Sequence, residues 1–293
     1  MLMNRSKGDR LFDLLNGAFF LVVLAVVLYP LYFIVIASIS DPGKVNTGAV
    51  WFWPIDMTLE GYRKIFEHEA LWNGYRNSAL YTLVGTAINV ALLMTGGYAL
   101  SRKDVPGRNI ITLLIVFTMF FQGGIIPTYL IVRDLGMLNT IWALVIPNAV
   151  SVYHLIVVRT YFETTIPLEM LEASKVDGCN NTRFFLRIVL PLSLPIIAVM
   201  VLFSAVVHWN SYFSALIYLR DESMYPLQMV LREILVRNSA QELMNVEDMA
   251  AQQDFSELIK YGVVIVSSLP VLILYPFVQR YFIKGVMIGS IKG

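Results

Sequence analysis

Six long apolar runs alternate with polar connections along the chain, at about Leu14–Ser38, Ser78–Leu100, Ile110–Val132, Thr140–Val158, Leu194–Ile217 and Leu258–Phe282. Each is close to the roughly 20 mostly apolar residues that an α-helix needs to cross a bilayer. The pattern therefore predicts an all-α membrane protein with six transmembrane helices, in one polytopic domain spanning residues 1–293. The first run follows Arg5, Lys7 and Arg10, a charge pattern shared with signal peptides. Signal peptides carry a shorter apolar core of about 7–15 residues before a small-residue cleavage site, so this run reads as a retained first helix.

The polar connections fix an expected orientation. With the N-terminus inside, 13 of the 22 Lys and Arg residues lie in inner segments, against 7 of the 21 Asp and Glu residues. The positive-inside rule then places both termini in the cytoplasm. Two outer connections are long. The first, about Ile39 to Asn77, carries Trp51 and Trp53, which suit a membrane–water interface. The second, about Tyr218 to Glu257, repeats Leu227, Val230, Leu231 and Ile234 at helical spacing, which predicts a short outer helix. Among the inner connections, "SRKDVPGRN" reads as a tight basic turn punctuated by Pro106 and Gly107.

Composition agrees with a membrane setting, since 57% of residues are hydrophobic and 15% charged, with a mean hydropathy of +0.65. Soluble domains carry about 25% charged residues. A net charge of +1 gives no electrostatic footprint for nucleic acid. Cys179, the only cysteine, cannot form an internal disulfide and falls in a segment expected in the reducing cytoplasm.

Catalytic signatures are missing. No phosphate-binding G-x-x-x-x-G-K-[ST] loop, no H-E-x-x-H and no Cys/His cluster of metal-binding spacing occurs, and His68, His154 and His208 are scattered. Asn180-Asn181-Thr182 matches a glycosylation sequon by chance, on the inner side. The expected spans hold no charge near their centres, only the neutral Asn89, Gln122, Asn148, His154, His208 and Asn210. Ion-coupled carriers place ionisable groups there, so a secondary carrier is the weaker alternative. Switching a two-state protein from 1:99 to 99:1 requires about 5.5 kcal/mol of differential binding. Without a nucleotide site, the chain must receive that energy from a partner.

The segment about 167–191 is the natural receiver. Pro167 can start a short helix over "LEMLEASKV", with Leu168, Leu171 and Val176 expected near one face. Gly178 permits a left-handed turn, and Asn180, Asn181 or Thr182 can cap a second helix carrying Phe184, Phe185, Ile188 and Val189. Small Ala173 and Ser174 would let a partner's surface approach closely.

At these residues the chain resembles the permease subunits of bacterial ATP-binding-cassette (ABC) importers, which carry a cytoplasmic E-A-A-x-x-x-G-x(9)-I-x-L-P signature. Glu172, Ala173, Gly178, Ile188, Leu190 and Pro191 match it, and Ser174 stands where the family has its second alanine. The ending "RYFIKGVMIGSIKG" resembles the tail of sugar permeases of the maltose-transporter second-subunit kind, through Lys284, Gly285, Gly289, Lys292 and Gly293. Within that family the sequence looks most like the oligosaccharide branch labelled YtcP- or LplC-like.

The resemblance implies a type I ABC importer permease fold with a cytoplasmic coupling helix. It assigns ATPase coupling to Glu172, Ala173, Ser174, Asp177, Gly178, Arg183, Ile188 and Pro191, with Glu172 meeting a basic residue of the ATPase. The tail, about 283–293, would reach the same interface. It implies a second, different permease, two ATPases that carry ATP and magnesium, and an external oligosaccharide-binding protein. Candidates along the sugar path are Gln122, Asn148, His208, Trp209, Asn210 and Tyr212, whose amides, hydroxyls and rings can meet sugar hydroxyls and faces. The branch points to an acidic, alginate- or uronate-type oligosaccharide, and a neutral sugar would suit the same uncharged residues. Pro127 and Pro147 are expected to kink helices.

Overall fold

The structure, a computed structural model, describes residues 7–241, 259–276 and 279. The described secondary structure is helical. The helices are α1 (Lys7–Ser38), α2 (Pro42–Asn46), α3 (Glu60–Glu67), α4 (Glu69–Ser101), α5 (Arg108–Phe120), α6 (Ile125–Asp134), α7 (Ile141–Val145) and α8 (Val152–Thr165). There follow α9 (Leu168–Val176), α10 (Asn181–Phe184), a π turn (Phe185–Val189), α11 (Leu190–Leu192), α12 (Leu194–Trp209), α13 (Phe213–Tyr218) and α14 (Leu227–Gln241). The last, α15, is Ile259–Pro276.

The six expected spans are not six straight helices. Three described helices are long and apolar enough to cross a bilayer: Leu11–Ser38 within α1, Glu69–Ser101 and Ile259–Pro276. Two further crossings arise if each strongly bent pair forms one span, giving up to five. The run Ile110–Val132 breaks between α5 and α6 with a 115° bend. Gly124 sits there at φ +88° and ψ −178°, a conformation open essentially to glycine alone. The run Thr140–Val158 breaks into α7, an irregular stretch through Pro147, and α8. In the run Leu194–Ile217, α12 ends at Trp209 and α13 resumes at Phe213. The expected outer helix is present as α14, with Leu227, Val230 and Leu231 buried.

Contacts divide the chain into two compact units. One lies within Met1–His68 and Glu233–Ser268, and the other within Glu69–Arg232 and Leu269–Gly293. In the first, Ile36, Ala37, Val45 and Val50 form a small core against which Phe33, Ile55 and Tyr261 pack. The second is built around α4, whose 33 residues give about 50 Å of helix at 1.5 Å per residue. Its buried positions Gly74, Ser78, Tyr81, Gly85, Asn89, Leu93, Gly97 and Leu100 recur every three or four residues, forming one stripe that meets α8 and α12.

Small residues on that stripe set how close the helices come. A Cβ at Gly85 would stand 2.4 Å from His208 Nε2, and one at Gly97 would stand 2.6 Å from Val158 Cγ1. Lipid tails are as apolar as leucine, so association of spans rests on such close packing and on interhelical hydrogen bonds. Gly85 and Gly97 supply the first.

Candidate coupling segment and polar cavity

Residues 167–191 form a bent foot built from local signals. Pro167 precedes α9 in extended conformation. After α9 the chain turns through Gly178 at φ +72°, with Gly178 N–H donating to Lys175 O at 3.0 Å and Cys179 N–H to Ser174 O at 2.9 Å. Asn180 supplies the next cap, its side-chain oxygen accepting from the Arg183 N–H at 2.8 Å. The π turn ends at Val189, two residues before Pro191, which has no N–H to give, and the Leu190 N–H reaches back to Phe185 O. Between Asn181–Leu192 and α12 the chain bends by 80° at Ser193, which is wholly buried.

The foot is seated in the main core. Leu171, Phe184 and Val189 belong to the same cluster as Leu93, Met94 and Leu100 of α4, Leu155, Val158 and Phe162 of α8, and Ile196 and Met200 of α12. Glu172, Ala173, Asp177, Gly178, Arg183 and Pro191 are exposed, and Ile188 is half-buried. Two expectations fail here. Ser174 is buried, with its hydroxyl donating to Leu171 O at 2.7 Å, so it serves internal packing rather than an outer surface. Leu168 and Val176 do not share the buried face of Leu171, and Val176 is 89% exposed. At 100° per residue Val176 lies well round the helix from Leu171.

Sequence reasoning did not single out Arg102, which ties the foot to α4. Its guanidinium donates to Tyr98 Oη at 2.8 Å, to Asn181 Oδ1 at 3.4 Å and to Asp104 Oδ1 at 2.8 Å. The Arg102 hydrogen bond holds the Asp104 carboxyl down at about 2. The Tyr98 ring lies 4.8 Å from that of Phe185. Close by, Glu163 accepts from Arg108 at 3.1 Å and from Arg159 at 3.0 Å. A cavity of about 130 Å³ lies between the foot and α4, lined in part by Arg102, Phe162, Pro167, Leu171 and Phe184.

A second cavity of about 480 Å³ opens where the broken helices leave space. Gln122 comes from the α5–α6 break, Asn148 and Ser151 from the α7–α8 break, and Asn89, Thr118, His154, Phe203 and Ser204 from helices. The imidazole of His154 stacks on Phe203 with ring centres 5.2 Å apart and planes 7° from parallel. The described lining contains no carboxylate.

Of the six sequence-derived path residues, only Gln122 and Asn148 line this cavity. His208 is buried against Gly85. With the Asn89 amide oriented to satisfy its neighbours, it donates to Gly85 O at 3.0 Å and Ala149 O at 3.1 Å and accepts from His208 Nε2 at 3.2 Å. This network joins α4, α12 and the broken stretch beside Asn148. Trp209 is buried with its ring 5.3 Å from that of Tyr75. Asn210 follows α12 and donates to Val206 O at 2.9 Å, and Tyr212 is exposed away from the cavity lining. Asn89 and His154 stood out in sequence only as uncharged polar residues. The tail residues Lys284, Gly285, Gly289 and Lys292 lie outside the described residues.

No protein-family model matches the chain. It is 38% identical over 285 residues to the polygalacturonan/rhamnogalacturonan transport system permease protein YtcP of Bacillus subtilis, covering 97% of this chain and 99% of that one. It is also 38% identical over 291 residues to protein LplC of the same organism, covering 99% and 98%. A chain in the crystal structure of a bacterial ABC transporter involved in the import of the acidic polysaccharide alginate superposes with a TM-score of 0.86. That match has 32% identity and covers 95% of this chain and 99% of the other.

Proposed function

The chain belongs to the permease family of bacterial ABC sugar transporters, and from that premise we propose that it forms one half of the membrane pore of an oligosaccharide importer. It is a transport protein and not an enzyme, because ATP hydrolysis in such importers resides on separate subunits. In this reading the chain crosses the bacterial cytoplasmic membrane six times with both termini inside. The bent pair α5–α6, the stretch through α7 and α8, and α12 after the foot each supply a crossing. A second, different permease completes the pore. Two ATPases that bind ATP and magnesium dock under residues 167–191, and an external binding protein delivers the sugar.

One observation carries the proposal. The exposed foot and the helices that frame the polar cavity share a single packed core. Leu171, Phe184 and Val189 bear directly on α4, α8 and α12, so displacement of the foot is transmitted as rigid-body tilt. Packed interiors switch between discrete arrangements and deform little between them. ATP-driven closure of the two ATPases would move the foot, and the tilt would open the cavity to the outside.

The substrate favoured is an acidic oligosaccharide of the alginate or uronate type. Two of the similar proteins are named for acidic polysaccharides or polygalacturonan. In this chain the cavity offers amides, hydroxyls, an imidazole and an aromatic face, without a carboxylate in the described lining to repel an anion. Gln122, Asn148, Ser151 and His154 are the residues proposed to meet sugar hydroxyls, and Phe203 the one to face a ring.

The test is ATP hydrolysis by the reconstituted assembly with its binding protein, stimulated by oligouronates or by neutral oligosaccharides of equal length. Stimulation by oligouronates, weakened by Gln122→Leu or Asn148→Leu, supports the proposal. Stimulation by neutral sugars alone overturns the acidic preference and keeps the importer. Uptake that survives loss of ATP but collapses with the proton gradient overturns the importer itself.

A further inference from the structure

The loop between α1 and α3 is folded back along α1, and its backbone is bound there by tyrosines. Tyr29 Oη donates to Trp51 O at 3.3 Å, and Tyr32 Oη donates to Phe52 O. The Tyr29 and Phe52 rings lie 5.8 Å apart. The indole N–H of Trp51 donates to Gly48 O at 2.7 Å. Yet the side chains that this strap presents are uncovered: Trp51 is 63%, Phe52 62% and Trp53 77% exposed.

The depth of the strap follows from helix geometry. Tyr29 and Tyr32 stand nine and six residues before Ser38, the end of α1, so at 1.5 Å per residue the loop dips back about 9–13 Å from the helix end. No charge interrupts α1 after Asp13. Counted from Asp13, the two tyrosines lie about 24–29 Å along the helix axis. The hydrocarbon core is about 30 Å thick, so the strap sits at its outer boundary.

We propose that Trp51, Phe52 and Trp53 form a re-entrant aromatic anchor embedded in the outer lipid interface, with Tyr29 and Tyr32 serving as its internal hydrogen-bond donors. Irregular backbone near that depth is favoured where the chain supplies some of its own hydrogen-bond partners. The two tyrosine hydroxyls supply donors to consecutive carbonyls, Trp51 O and Phe52 O, and the Trp51 indole N–H finds Gly48 O. No charged residue occurs between Lys44 and Asp56. Asp56, at φ +49°, marks the turn by which the chain leaves the interface. The occupant is lipid at the headgroup boundary, because the depth, the uncovered aromatic side chains and the uncharged stretch all match it. The inference rests on α1 spanning the membrane and is independent of the substrate.

The experiment uses the full assembly in lipid nanodiscs. Replacing the single cysteine (Cys179→Ser) and introducing Trp53→Cys allows one environment-sensitive fluorophore to be attached. Lipids brominated near the headgroup end of their chains should reduce its emission by about twofold or more, while aqueous iodide should quench it much less than the free dye. The double variant Tyr29→Phe/Tyr32→Phe, labelled at the same site, should regain iodide quenching. Iodide quenching equal to that of the free dye in the parent would overturn the proposal, since the loop would then lie in water. Shielding from both quenchers would overturn it too, by showing that protein and not lipid covers the strap.

Discussion

Replacement of Gly178 separates the turn of the coupling foot from its docking surface. Gly178 lies at φ +72°, and a Cβ built there meets no atom of this chain within 4 Å. Alanine therefore suffers no internal clash, and its cost is the backbone cost alone, about 1–2 kcal/mol for an L-residue in the left-handed region. Reduced freedom in the unfolded chain returns about 0.4–1 kcal/mol, leaving a net of about 1 kcal/mol, enough to lower the population of the native turn about fivefold. Valine, branched at Cβ, should cost more, and asparagine less, since it visits this region readily. Asparagine and aspartate are nearly isosteric, so that pair isolates charge. The assay is ATP-dependent uptake by reconstituted vesicles, normalised to inserted protein. The expected order is glycine and asparagine highest, then alanine, then valine, with Gly178→Asp inactive but normally inserted. Asparagine as damaging as valine would refute the backbone argument in favour of a clash with the docked partner. Aspartate as active as asparagine would refute a charge-sensitive dock at this turn.

Three further outcomes are expected. Gly85→Ala forces a Cβ to within 2.4–2.7 Å of the His208 ring; overpacking of about 1–3 kcal/mol should lower the thermal midpoint of the purified protein, and adding His208→Ala should recover part of the loss. Asn89→Leu should cost about 1–3 kcal/mol by leaving the buried His208 Nε2 and Ala149 O without partners, measured by thermal unfolding in detergent. The depressed Asp104 pKa of about 2 means that its contribution is complete above the ordinary value of 3.8 and is lost as pH falls toward 2. Because the carboxylate is largely exposed and screened, the wild-type midpoint should drop only slightly more than that of Arg102→Met across that window.

The division between sequence and tertiary structure is plain at the foot. Gly178 for a positive φ and the run Asn180 to Thr182 for a cap act within a few residues, so the turn and the helix start were legible directly, while the structure chose Asn180 as the cap. Ser174 was misplaced because a small residue reads the same whether it faces a partner or its own core. Arg102 was missed because its contact with Asn181 spans 79 positions and leaves no local pattern.

The spans show the same limit on a larger scale. Apolar composition by itself determined a helical membrane chain, because no other open backbone satisfies its own polar groups in lipid. It did not determine where the helices break. An unwound stretch such as that through Pro147 persists only when neighbours accept its freed groups, as Asn89 does for Ala149 O. The polar cavity is made of such breaks, so Gln122, Asn148 and Ser151 became neighbours only when α4, α5, α8 and α12 packed together.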